Sequence, residues 1–183
     1  MNRCRSPRGW PCASQTGSRT ESGWFTVPVK SQSAVLIVAA GRGLRAGGSI
    51  PKQYQRLAGR MVLTRTIEML AKALPAAPIV CITHPDDQQL YHEAIAEIQV
   101  PGVNLIAPVA GDATRQTSVR NGLKALMQYK NDTNIVLIHD SVRLFCSNTL
   151  IHRLVVQAMA SGAAIPGYRI PDALKYVSGA GIV

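Results

Sequence analysis

Beyond residue 32 the chain alternates between two hydrophobic rhythms. Continuous apolar runs rich in β-branched residues occupy 34–40, 78–83, 103–107 and 134–139, with a weaker one at 163–166. None alternates with period two, which is the pattern of strands buried on both faces. Between them the apolar residues recur at helical spacing: Leu63, Ile67, Leu70 and Leu74 form one stripe, Leu90, Ala94, Ile95 and Ile98 a second, and Val119, Leu123 and Leu126 a third. A fourth helix is predicted from an N-cap at Ser147 through Leu150, Ile151, Leu154, Val155 and Ala158 to a stop at Gly162. Strand and helix in repeated succession predict an α/β fold, a doubly wound, mostly parallel sheet. Ligands bind beyond the carboxyl ends of the strands in such sheets, so the segments after residues 40, 107 and 139 are where chemistry is expected.

Residues 1–32 have no such rhythm. They carry Arg3, Arg5, Arg8, Arg19 and Lys30 against one acid, Glu21, among many Ser, Gly, Pro and Thr. This reads as a disordered basic extension preceding a folded domain over 33–183. The composition also suits an organelle transit peptide, although Pro7, Gly9, Pro11, Gly17 and Gly23 interrupt any amphipathic helix there. The whole chain holds 20 Lys plus Arg against 10 Asp plus Glu, a net charge of +10 that favours anionic partners. No apolar run approaches the roughly 20 residues that cross a bilayer, so no membrane association is expected. Cys4, Cys12, Cys81 and Cys146 show neither paired nor metal-ligand spacing, which predicts free thiols in a reducing compartment, the cytoplasm.

The first expected site begins at Ala39-Ala40-Gly41-Arg42-Gly43-Leu44-Arg45 and continues to Pro51-Lys52-Gln53-Tyr54. Glycines without Cβ atoms let a backbone turn tightly and bring its N–H groups to a phosphate. Gly41-x-Gly43-x-x-Ala46 fits a dinucleotide fingerprint, yet no acid stands about 20 residues on to hold a ribose, and no Gly-Lys-Ser/Thr makes it a Walker loop. Arg42, Arg45, Lys52, Arg56, Arg60 and Arg65 follow the first strand with no acid until Glu68. That excess suggests a polyphosphate; for Arg56, Arg60 and Arg65 a solvated basic face is the simpler reading. Because the basic residues gather around a Gly-rich loop and aromatics are 5%, no nucleic-acid partner is expected.

These residues, with the following x-x-Leu57-x-Gly59-x-x-Val62-Leu63, resemble the signature of the 2-C-methyl-D-erythritol 4-phosphate cytidylyltransferases, nucleotidyltransferases of the non-mevalonate isoprenoid pathway. Two further segments agree in order. Ala110-Gly111-Asp112-Ala113-Thr114-Arg115-Gln116-Thr117-Ser118-Val119 is similar to a Gly-Gly-x-x-Arg-x-x-Ser-Val segment, its first Gly replaced by Ala; by itself it could be a capped helix start. Ile138-His139-Asp140-Ser141-Val142-Arg143 resembles His-Asp-Ala-x-Arg-Pro, with Leu144 where Pro is usual. Ala163-Ala164-Ile165-Pro166 and Pro171-Asp172-Ala173-Leu174-Lys175 resemble later segments, Ala173 standing where the family has Thr.

The resemblance implies a Rossmann-like nucleotidyltransferase fold and transfer of a cytidylyl group from CTP to methylerythritol phosphate, releasing pyrophosphate. Arg45 and Lys52 would be catalytic. Ala39, Ala40, Gly41, Gly43, Gly111, Asp112 and Ser118 would bind the nucleotide, and Asp140 would hold Mg²⁺ or another divalent cation. Arg42, Arg115, Arg143 and Lys175 are further candidates; Arg143 could pair with Asp140 or with phosphate. His139 reads as a packed strand residue. The match spans about the first two-thirds of such a domain, ending at Val183 before the segments that supply acceptor-phosphate contacts and much of the homodimer interface. A truncated domain is thus the expectation, and stretches such as Thr83-His84-Pro85-Asp86-Asp87 look like bifunctional relatives fused to a cyclodiphosphate synthase. A related transferase acting on another polyol or sugar phosphate, or an inactive remnant that at most binds CTP, are the alternative readings.

Overall fold

The computed structural model describes residues 33–42, 50–129 and 133–172; the 1–32 extension, Gly43, Arg45, Ala173 and Lys175 lie outside them. In chain order the elements are β1 (Ser33–Ala39), a small hairpin of β2 (Arg56–Leu57) and β3 (Arg60–Met61), α1 (Val62–Ala73), β4 (Ile79–Thr83), α2 (Gln88–Ala96), β5 (Val109–Ala110), α3 (Arg115–Tyr129), β6 (Ile135–Asp140) and α4 (Asn148–Ser161). The main sheet runs β5-β4-β1-β6, every pairing parallel. Ile37 of β1 stands opposite Cys81 on one side and His139 on the other.

β1 is buried almost throughout because helices cover both its faces. Val35, Ile37 and Ala39 point into a core built with Leu63, Ile67 and Leu70 of α1, Tyr91 and Ala94 of α2, and Ile151 and Val155 of α4. Ala34 and Leu36 point the other way, into a smaller core with Leu126 of α3. The predicted doubly wound arrangement is therefore present. Burial pushes the Cys81 thiol up to about 12 against a weaker opposing hydrogen bond with Tyr91, so Cys81 packs as a small hydrophobe. The fourth helix has its predicted ends: Ser147 Oγ accepts the Leu150 N–H at 3.2 Å, and Gly162 closes the helix at φ 84°.

Three strand expectations need correction. Residues 103–107 form no strand; Leu105 makes one isolated bridge to Ile79, and pairing resumes only at β5. Pro108 separates the two and brings no N–H to the ladder. Residues 163–166 take no regular structure, and Ile165 is 89% exposed; Pro166 again removes a donor. β6, read as buried on both faces, is an edge strand among the described residues, with Ile138 at 43% exposure. A continuous apolar run reports composition, and the sheet order decides which strand ends up covered.

The hairpin explains the cationic cluster. Arg60 makes a two-pronged pair with Glu68 at 2.9 and 2.7 Å, and Arg56 meets Glu97 at 2.7 Å. Arg65 donates to the carbonyls of Leu57 and Ala58 at 2.9 and 3.0 Å, bracing a turn in which Ala58 sits at φ 48°. Burial opposes the charge on Glu68, but Arg60 and the Gln99 and Val100 amides outweigh it and hold its carboxyl below the usual range. These three arginines fasten the hairpin to α1 and α2 and are spent structurally.

α3 reaches the sheet through Gly122, where a Cβ would lie 2.6 Å from Leu36 Cδ1 and 3.0 Å from Ile82 Cδ1. Gly122→Val should therefore lower unfolding stability by roughly 2–3 kcal/mol, as overpacking of a filled core does. Urea unfolding is the check, and a variant as stable as the parent would show that α3 packs elsewhere.

Candidate active site

The carboxyl end of β1 opens a cleft of about 450 Å³, shared with the segments that follow β5 and β6. Ala40, Gly41, Lys52, Asp112, Ser118 and Asp140 line it together. Three stretches far apart in sequence converge here because their strands are parallel and end on one side of the sheet.

Each stretch is pinned from beneath. Pro51 leads into a single helical turn, Lys52–Tyr54, in which successive side chains diverge. Lys52 faces the cleft, while Gln53 is buried and its Nε2 donates to the carbonyls of Ala39 at 2.7 Å and Gly41 at 3.1 Å. Gln53 thus ties the two ends of the Gly-rich segment together. Gly111 donates its N–H to Thr83 O at 2.8 Å, and a Cβ there would meet Ala40 Cβ at 2.3 Å. Only glycine allows that close approach, which brings the second stretch against the first.

The start of α3 is a closed network. Ser118 Oγ accepts the Asp112 N–H at 2.8 Å and donates to Thr114 O at 2.8 Å, while Thr114 and Thr117 exchange hydroxyl–amide bonds at 3.1 and 3.2 Å. The Ser118 hydroxyl, expected to face a ligand, is buried and engaged within the loop. It shapes the backbone of 112–114, whose three N–H groups are all taken up by side-chain oxygens of Ser118, Asp112 and Thr117.

Asp140 ends β6 between two guanidinium groups, with Arg115 Nη2 at 2.7 Å on Oδ1 and Arg143 Nε at 2.9 Å on Oδ2. The Arg115 hydrogen bond, with Arg143 adding to it against modest burial, holds the Asp140 carboxyl below its ordinary range. The turn after it is fixed by Ser141, whose N–H donates to Val38 O at 3.1 Å and whose carbonyl accepts the Thr66 hydroxyl at 2.7 Å. His139 is buried, and burial pushes its pKa down; its Nε2 donates to Arg143 O at 2.8 Å, the packed role read from sequence. Among the described residues no group of three His, Cys, Asp or Glu could hold a metal unaided. Asp140 can supply one carboxylate, however, and Mg²⁺ commonly takes one or two carboxylates plus phosphate oxygens, so the donor set fits.

Of the other candidates, Arg42 turns away from the cleft toward the loop after β4. Gly43, Arg45 and Lys175 lie outside the described residues. Gln53 stands within the signature but the sequence assigns it no role, and Thr66 carries no signal at all: an uncharged Gln beside a Lys, and a Thr within a helical stripe, do not show what their side chains reach.

Residues 33–183 match the family model described as 2-C-methyl-D-erythritol 4-phosphate cytidylyltransferase. The chain belongs to that family. Among curated relatives of this cytidylyltransferase family, a bifunctional enzyme IspD/IspF of Rhodopseudomonas palustris is 45% identical over 152 residues, covering 83% of this chain and 36% of its own length. Another, from Paramagnetospirillum magneticum, is 44% identical over 145 residues, 79% of this chain and 36% of its own. The chain therefore spans a little over one third of these relatives. A solved 4-diphosphocytidyl-2C-methyl-D-erythritol synthase from Anaerococcus prevotii superposes with TM-score 0.55 at 28% identity, over 70% of this chain and 51% of that one. A second solved synthase of the same description shares the fold, with TM-score 0.62 at 24% identity over 84% of this chain and 67% of that one.

Gln53→Leu removes both hydrogen bonds to the Gly-rich segment and leaves the buried Ala39 carbonyl without that donor. It should cost about 1–3 kcal/mol in unfolding stability. Thermal denaturation beside the parent chain tests this, and an unchanged midpoint would mean that the segment is held by something else.

Proposed function

We propose that this cleft transfers a cytidylyl group from CTP to 2-C-methyl-D-erythritol 4-phosphate and releases pyrophosphate. The observation that carries the reading is that residues of three family segments, Ala40, Gly41 and Lys52 from the first, Asp112 to Arg115 with Ser118 from the second, and Asp140 from the third, line one cleft at the strand ends. A phosphate oxygen of the acceptor attacks the α-phosphorus of CTP in line, the bond to the bridging oxygen of the β-phosphate breaks, and pyrophosphate leaves. The acceptor oxygen is already anionic at neutral pH, so no strong general base is needed. The protein's work is positioning and charge.

Lys52 places its ammonium group where the triphosphate enters, and in this reading neutralises charge on the α-phosphate and the leaving group. Arg45 is proposed to share that role. In this reading the backbone of Ala40 and Gly41 meets the phosphates, while the 112–114 segment, held in shape by Ser118, lies along the pyrimidine. Asp140 would hold Mg²⁺, which when bound neutralises phosphate charge. Arg115 and Arg143 keep the Asp140 carboxylate ionised and oriented. The free thiols Cys81 and Cys146 support a reducing compartment such as the cytoplasm, and no helix among the described residues is long and apolar enough to cross a membrane.

The test is pyrophosphate release by the purified chain given CTP, Mg²⁺ and methylerythritol phosphate, with CTP binding followed in parallel. Release that requires all three is expected; a folded chain that neither releases pyrophosphate nor binds CTP would overturn the proposal. Lys52→Ala should lower turnover by about a hundredfold or more with the fold intact, the usual loss for one preorganised charge-stabilising group. Ser118→Ala should instead raise the CTP KM more than it lowers kcat. Equal CTP affinity in parent and variant would remove the 112–118 loop from nucleotide recognition.

A further inference from the structure

Arg42 follows Gly41 directly, so its backbone belongs to the segment that meets the phosphates in the reading above, yet its side chain leaves the cleft. The guanidinium donates to His84 Nδ1 at 2.9 Å and to Asp86 Oδ2, and lies 3.9 Å from Asp87 Oδ1. All three partners sit on the short turn between β4 and α2. His84 Nδ1 also accepts the Asp86 N–H at 3.2 Å. Two N–H donors on one ring nitrogen need its lone pair, so the imidazole carries its proton on Nε2 and serves here as an acceptor.

The same turn also faces the returning end of the Gly-rich segment. Asp87 is 3% exposed and its Oδ2 has no hydrogen-bond partner among the described residues; Tyr54, directly after Lys52 and Gln53, is 2% exposed with its hydroxyl likewise unpartnered among them. Burial raises the Tyr54 pKa most, and the Asp87 charge raises it further, so the two groups sense each other. Among the described residues nothing stands within 4 Å of where a Gly41 Cβ would be, so none of them packs Gly41 in place. Hydrogen bonds from Gln53 and the anchoring of Arg42 hold it.

We propose that Arg42 is a positioning residue: clamped by His84 and Asp86, it fixes Gly41 against Lys52 so that backbone amides and ammonium meet the triphosphate in one geometry. Side-chain exposures of 40% for Arg42 and 70% for Asp86 make the pair a small contributor to folding stability. Its effect is on where Gly41 stands. The clamp rests on the nucleotidyltransferase reading only for the identity of the ligand.

The experiment measures the dissociation constant of Mg²⁺·CTP for Arg42→Ala, Asp86→Ala, the double variant and the charge swap Arg42→Glu with Asp86→Arg. Each single change should weaken binding by about fivefold, the double variant no more than either single, and the swap should recover most of the loss, the signature of coupled groups. Melting temperatures should stay within about 2 °C of the parent, as loss of an exposed pair predicts. If Arg42→Ala weakens binding while Asp86→Ala leaves it unchanged or tightens it, Arg42 is a direct phosphate ligand and the clamp is overturned. Should the parent chain bind no CTP, the functional reading fails and amide hydrogen exchange at residues 40–42 and 50–54 decides the clamp by itself. Faster exchange in each single variant, restored by the swap, supports it; unchanged exchange overturns it.

Discussion

The structure depends on one constraint, that β1 must satisfy its backbone between two parallel neighbours and bury both of its faces. Parallel pairing to β4 and β6 requires each connection to cross back over the sheet, and the crossing helices supply the two apolar layers that cover β1. The same requirement brings the ends of β1, β4, β5 and β6 to one side. The cleft is a consequence of that geometry before any side chain is considered.

What the side chains add is closeness. Gly111 lets its stretch touch Ala40, Gln53 draws Ala39 and Gly41 together, and Thr66 holds the turn after Asp140 from the far side of the core. None of these three residues carries a charge. Charge is organised around them: Lys52 faces the cleft, Asp140 is bracketed by two arginines, and Arg56, Arg60 and Arg65 are consumed by the hairpin. The excess of basic residues near the Gly-rich segment thus separates into groups that can meet an anion and groups that hold a turn.

The polar interior is economical for the same reason. His139, read from sequence as a packed strand residue, and Ser118, read as a nucleotide contact, are both buried and spend their hydrogen bonds on backbone groups beside the cleft. A buried polar group without a partner is costly, and these two are bonded locally and act through the loops they shape. Residue type alone does not separate a side chain that touches a ligand from one that positions its neighbour.

The sequence by itself determined the alternation of strand and helix, the ends of α4 at Ser147 and Gly162, and the segments whose spacing marks the family, because propensity, capping and motif are local properties. Tertiary structure decided the rest. Whether an apolar run becomes a central or an edge strand depends on sheet order, as β1 and β6 show; whether Pro108 interrupts a strand depends on the partner whose ladder it would join. Whether Arg42 meets a phosphate or a histidine depends on a turn more than 40 residues away. Partners distant in sequence are chosen by packing, and no local pattern records them.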